Sequence, residues 1–143
     1  MAMKNYIGTE IIKAEPCDAW KNFGDHKVGE PGYKVRYEDG YESWSPKDVF
    51  EKAYRSMDGL PFGLAIEAAK KGLRIARKGW NGKEQYVELA SAISYTGPDG
   101  KTVNANHDAI GNQAMAFVGT SGVQLGWLAS QADMLAEDWV VLA

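Results

Sequence analysis

Cysteine occurs once, at Cys17, and histidine twice, at His26 and His107. A lone cysteine can close no intramolecular disulfide. One cysteine with two histidines also falls short of the four ligands of a structural zinc site. No apolar run approaches the roughly 20 residues that cross a bilayer as a helix. The opening Met1-Ala2-Met3-Lys4-Asn5-Tyr6 lacks the charged-then-apolar pattern of a secretory leader, so a cytoplasmic protein without membrane contact is expected. Excess positive charge is missing too: 16 Lys and Arg face 19 Asp and Glu, a formal net charge of -3. Nonspecific duplex binding needs a large basic footprint, so DNA and RNA are not expected partners. Two or three local cations would still hold a small anion.

The motifs of common catalytic sites are absent as well. There is no nucleophile elbow, no paired-histidine zinc helix, no phosphate-binding glycine loop and no dinucleotide fingerprint. His26 and His107 each stand alone in a polar stretch, where a solvated side chain is the commoner role. Cys17 precedes Asp18, whose charge disfavours the thiolate. Glu137-Asp138 reads as a solvated acidic pair at a helix end. The expectation is a protein that is not an enzyme, with no metal and no cofactor.

What is present suits a packed domain. Hydrophobic residues make up 45% and charged residues 24%, ordinary for a folded chain. The pattern divides into two blocks, giving an expected α+β fold in which each block is an antiparallel sheet with a packed helix. In the first block, residues 1–57, Tyr6 to Ala14 reads as a strand and Asp18 to Pro31 as a loop. Tyr33, Val35 and Tyr37 alternate with Lys34, Arg36 and Glu38, the period of a half-buried strand. Asp39-Gly40 supplies the turn and Tyr41 to Trp44 the return strand. Ser45-Pro46-Lys47-Asp48 opens a helix with Ser45 as N-cap, its apolar face formed by Val49, Phe50, Ala53 and Tyr54.

Ser56 to Gly59 reads as a linker, and the second block covers residues 60–143. Phe62, Ile66, Ala69 and Leu73 recur at helical spacing, with Gly72 placed to end the helix in a left-handed conformation. Strands are expected over Arg74 to Lys78, Tyr86 to Tyr95, Gln113 to Val118, Val123 to Leu128 and Asp138 to Leu142. Gly97-Pro98-Asp99-Gly100-Lys101 is a turn, with Lys101 to Ala105 pairing back across it. Asn104 to Asn112 is polar. Ser130, with Asp133 three residues on, forms a capping box for a short helix.

Two stretches carry the chemistry of binding. Arg74-Ile75-Ala76-Arg77-Lys78-Gly79-Trp80-Asn81-Gly82 gathers cations, an aromatic ring and turn residues. Arginine grips phosphate as a fork, lysine acts as a point charge, tryptophan stacks, and the Asn81 amide both donates and accepts. The plain alternative is a polar hairpin with one core tryptophan. The second stretch, Trp127 to Trp139, places Trp127, Ser130, Gln131 and Asp133 at a helix entry, where free backbone N–H groups favour anions. Here the plain alternative makes Ser130 and Asp133 caps and both tryptophans core. Trp139 is assigned to the core under either reading.

Residues 60–143 resemble the Thoeris anti-defence type-two family of bacteriophages, small proteins that sequester nucleotide immune signals. The likeness rests on the Phe62 to Gly72 helix, on Ala76-Arg77-Lys78-Gly79-Trp80-Asn81-Gly82, and on Trp127 to Trp139 with its Ala136-Glu137-Asp138-Trp139 ending. Gly32 to Pro46 is similar to a small domain widespread in phage proteins, to which no activity attaches. The resemblance implies a helix with an antiparallel sheet, homotetramers in the host cytoplasm, and binding of cyclic ADP-ribose isomers, or of cyclic oligonucleotides, without cleavage. Carried onto this chain it makes Trp80 and Trp127 stacking residues. Arg77 and Lys78 would face phosphates, and Asn81 with Asp133 would meet ribose or base edges. Two other functions stand beside it: a phage accessory module that binds another protein through the Tyr33 to Trp44 hairpin, and a phosphodiesterase, for which no acid–base pair or metal cluster is visible.

Overall fold

The computed structural model describes residues 2–80, 84–92, 94–103 and 113–142. They form two compact units, Met1–Arg55 and Ser56–Ala143. Both are α+β, built on antiparallel sheets.

In the first unit, β1 (Lys13–Pro16), β2 (Gly32–Arg36) and β3 (Glu42–Pro46) form a sheet in that order, followed by α1 (Lys47–Ala53). The predicted hairpin is present, with Gly40 at φ 89° and the Asp39 carboxylate accepting from the Tyr41 N–H at 3.0 Å. The alternation of β2 sorts its side chains. Tyr33 stacks on Phe50 of α1 at 4.0 Å between ring centroids, and Val35 is buried beside it. Lys34 and its cross-strand partner Trp44 belong to the opposite face. The Asp18 to Pro31 loop covers Trp44 there: Phe23 stacks on the indole at 5.2 Å, and the Trp44 Nε1–H donates to the Cys17 carbonyl at 2.8 Å. Gly32 is required at its position, because a Cβ there would collide with the Ser45 carbonyl and the Trp44 ring.

Three local expectations are corrected in this unit. The strand expected from Tyr6 begins only at Lys13, leaving Tyr6 and Ile7 exposed. The reason is the partner: β2 ends at Arg36, and the next residue, Tyr37, already closes the hairpin turn through hydrogen bonds to Gly40 and Tyr41. The helix starts one residue late, with Pro46 at the cap position and no side-chain cap. Ser45 is instead held in extended backbone opposite Tyr33, since the β2–β3 ladder runs on to Gly32 and Pro46. Of the expected apolar face of α1, Phe50 and Tyr54 pack while Val49 and Ala53 stay exposed.

In the second unit a five-stranded sheet has the order β10 (Trp139–Leu142), β4 (Arg74–Arg77), β5 (Tyr86–Ala90), β8 (Ala114–Gly119), β9 (Gly122–Leu125). β6 (Tyr95–Thr96) and β7 (Thr102–Val103) make a separate small hairpin. β5 and β9 are shorter than expected. β9 stops where Gly126 turns at φ 76°, and the Gly126 and Trp127 N–H groups both donate to the Met115 carbonyl. Residues 104–105, expected to extend the hairpin, lie outside the described residues, as does the polar stretch after them.

The helix α2 (Phe62–Lys70) lies on one face of this sheet and is closed by Gly72 at φ 92°, as its sequence predicts. It approaches closely because the residues it buries are small: Ala65, Ala68 and Ala69. Their neighbours in the core are Leu60, Ile75, Val87 and Trp139. The register explains the row, since Val141, Ile75, Val87 and Phe117 are successive cross-strand partners on that face. The other face carries Ala76, Tyr86, Glu88, Ala116, Val118, Val123 and Leu125.

Trp139 is 0% exposed and sits at the centre of this core. Trp139→Ala is therefore expected to destabilise the second unit by about 3–5 kcal/mol, read as a lower urea midpoint with an unchanged slope; a loss below about 1 kcal/mol would show that the core does not depend on it.

Candidate ligand-binding site

Chain order brings the two binding stretches together through one strand pairing. β10 runs antiparallel to β4 with Trp139 opposite Arg77. Whatever follows Arg77 therefore lies beside whatever precedes Trp139. The result is an aromatic corner at the end of the sheet. Trp80 meets Trp139 and Phe117 with centroids 5.3 Å away in each case, and Trp127 at 6.1 Å. Phe117 and Trp127 are stacked at 6.2 Å. Trp139 is sealed in the core as expected, while Trp80 and Trp127 are half-buried and keep part of their surface in water.

Trp80 and Trp127 touch edge to face, at 84° between planes. Such pairs are favourable because a positive ring edge meets a negative ring face. This geometry leaves no parallel slot between the two indoles.

The charged groups are as close. The Arg77 Nε–H donates to Asp138 Oδ1 and its Nη1–H to Asp133 Oδ1, each at 2.9 Å. The capping box predicted for Ser130 is complete. The Ser130 hydroxyl accepts from the Asp133 N–H at 3.1 Å, and the Asp133 carboxylate accepts from the Ser130 N–H at 3.3 Å, opening α3 (Gln131–Leu135). The Asp133 carbonyl in turn accepts from the Trp139 Nε1–H at 2.9 Å. Arg77, Trp80, Trp127 and Asp133 are thus one cluster. Lys78 is exposed, its ammonium 3.6 Å from Asp58, and Gln131 is exposed at the start of α3. Asn81 lies outside the described residues.

These contacts set the local proton affinities. Arg77 is held further into its charged form by the hydrogen bonds to Asp138 and Asp133. Burial alone would raise the Asp133 carboxyl, but the bonds from Arg77 and Ser130 outweigh it and the group lies below its ordinary range. Asp138 is lowered chiefly by the Arg77 hydrogen bond, against a smaller effect of burial.

Two residues of the corner, Phe117 and Asp138, carry no local signal of their place in it. Phe117 falls within the expected Gln113 to Val118 strand, yet nothing local marks it as a neighbour of two tryptophans. Asp138 was read as a solvated acid; it pairs with Arg77 because the β10 register brings it there. His26, also read as solvated, is half-buried, 2.8 Å from Glu30 with its ring against Trp44. His107 lies outside the described residues. Among the described residues no three His, Cys, Asp or Glu side chains gather as a metal site would require, and no helix is long and apolar enough to cross a membrane.

Fold and corner together define a small α+β domain with a half-exposed aromatic cluster beside a paired arginine. A family model described as the Thoeris anti-defense 2-like domain matches residues 60–142. Thoeris anti-defense 2 of Bacillus phage SP01 is 33% identical over 87 residues, which span 59% of this chain and 96% of that protein. The chain belongs to the Thoeris anti-defense 2-like family, whose description is an anti-defence role and not an enzyme class. Residues 1–59 lie outside the family match.

The depressed carboxyl groups give a pH signature. Each contributes stability that is present above the unfolded carboxylate range near pH 4 and is lost as pH falls through the lower folded value. The second unit should therefore lose melting temperature below about pH 4, and Asp133→Asn with Asp138→Asn should flatten that loss. An acid profile identical in wild type and double variant would show that these ion pairs contribute nothing to folding.

Proposed function

We propose that the protein is a phage anti-defence sponge. It binds a cyclic nucleotide immune signal in the host cytoplasm, glyco-cyclic ADP-ribose or a cyclic oligonucleotide, and holds it intact. The observation that carries this reading is the convergence of Trp80 and Trp127 with the basic turn Arg77-Lys78 at one corner of the family domain. In the proposed complex the base stacks on an open face of Trp80 or Trp127. The basic turn meets phosphate, and Asn81, Ser130, Gln131 and Asp133 address ribose hydroxyls or base edges. Asp133 retains acceptor capacity for this, because a carboxylate has about four lone-pair sites. Sequestration needs affinity, and nanomolar binding corresponds to about 12 kcal/mol. Stacking supplies roughly 1–3 kcal/mol per base, so phosphate and ribose contacts must contribute most of the remainder. No catalytic step enters this mechanism: the signal is depleted by mass action.

Homotetramers form part of the proposal. The sheet face opposite α2 supports it, since Val123 is 61% and Leu125 46% exposed there beside Ala116 and Val118. A second copy laid on that face would cover them. The runner-up reading, a protein-interaction module, draws on the first unit, where Trp20 and Tyr41 are exposed.

Purified protein incubated with glyco-cyclic ADP-ribose should remove it from solution and return it unchanged after heat denaturation. A hydrolysed product would make the protein an enzyme, and no uptake would favour the interaction module. Replacing whichever ring carries the base, by Trp80→Ala or Trp127→Ala, should weaken retention roughly ten- to a hundredfold; unchanged retention in both variants would move the site elsewhere. Val118→Glu with Leu125→Glu should reduce the assembly seen by light scattering, and an unaltered mass would remove that sheet face from the interface.

A further inference from the structure

We infer that Arg77 and Asp138 are positioning residues of the site, forming with Asp133 a clasp that sets the angle between Trp80 and Trp127, and that phosphate is met by Lys78. The inference rests on the reading of those two indoles as the binding surface, and it divides labour within the basic turn.

The geometry carries it in three ways. Arg77 closes two contacts with two different segments: its Nε–H goes to Asp138, at the entry to β10, and its Nη1–H to Asp133, in the first turn of α3. Only a guanidinium can do this, because its donors form a rigid planar fork where an ammonium is a single point. Next, the clasp ties the two tryptophan-bearing segments together. Trp80 follows Arg77 by three residues, and its N–H donates to the Arg77 carbonyl at 3.1 Å. Trp127 precedes Ser130, the partner of Asp133 in the capping box, by three. Asp138 also fixes the start of the Trp80 turn through its carbonyl, which accepts from the Lys78 N–H at 3.1 Å. Last is the charge. One guanidinium shared by two ionised carboxylates leaves the clasp with a net charge of about -1, since all three groups are held in their charged forms. An approaching phosphate would be repelled by that sum. Lys78 faces water with its side chain 52% exposed, and the Asp58 carboxylate 3.6 Å away is 83% exposed, a pairing water screens.

Four proteins distinguish positioning from direct contact: wild type, Arg77→Lys, Asp138→Asn and Lys78→Ala. The first readout is near-ultraviolet circular dichroism of the ligand-free protein, which reports coupling between edge-to-face indoles. Arg77→Lys and Asp138→Asn should both alter the tryptophan bands while far-ultraviolet spectra stay as in wild type. The second readout is affinity for glyco-cyclic ADP-ribose as a function of salt. The two clasp variants should bind roughly tenfold or more weakly, and Arg77→Lys, which conserves the charge, should do so with the wild-type salt dependence. Lys78→Ala should instead keep the wild-type bands and lose part of the salt dependence, since screening acts on a direct ionic contact. Asp138→Asn that leaves the bands unchanged overturns the clasp. So does Asp138→Asn that tightens binding, because freeing Arg77 would then help the ligand. Should wild type retain no nucleotide, the binding reading fails, and the tryptophan bands alone still decide whether the clasp positions the rings.

Discussion

The pairing of Trp139 with Arg77, in the register of β10 against β4, is the constraint on which the rest of the second unit depends. It lowers Trp139 into the core beneath α2 and sets Asp138 within reach of the Arg77 guanidinium. Through the Trp139 indole N–H it also anchors α3 at the Asp133 carbonyl. One pairing therefore determines both the largest fully buried side chain and the polar frame around it. A slip by one residue would turn Trp139 to the opposite face and separate every one of these contacts. Each polar contact is modest alone; together they bind three chain segments into one corner.

Much of this architecture was legible in the sequence because it is encoded locally. The Tyr33 to Trp44 hairpin follows from period-two alternation around Asp39-Gly40, and α2 from apolar spacing ended by Gly72. The Ser130–Asp133 capping box needs only residues three apart. Each of these is decided by backbone preference and nearest neighbours. The failures share the opposite character. Tyr6 to Ile12 has the composition of a strand, but a ladder needs a partner, and β2 ends before it can supply one. Ser45 has the chemistry of an N-cap, yet the β2–β3 register claims it first.

The candidate site divides along the same line. Composition marked Arg77, Trp80, Trp127 and Asp133, and the fold gathers all four. Their arrangement was not legible, because it follows from which strand lies beside which. The sequence offers Arg77 for its affinity for phosphate; the anions it meets are two carboxylates of its own chain. Asp138 reads as solvated because adjacent acids at a helix end ordinarily are. Trp80 and Trp127 were read as two stacking platforms and meet each other edge to face. Family membership, which the match over residues 60–142 establishes, brings the anti-defence role; the corner suggests how it is exercised.

On this account the second unit uses one arginine to build a surface and the neighbouring lysine to charge it, while the first unit adds a separate aromatic sheet of its own. The most direct test is a crystal structure of the full chain with glyco-cyclic ADP-ribose. The account predicts intact ligand with its base on an outer face of Trp80 or Trp127, phosphate toward Lys78, and Arg77 still bound to Asp133 and Asp138. A ligand bound elsewhere, a cleaved ligand, or an Arg77 that has left both carboxylates for phosphate would contradict it.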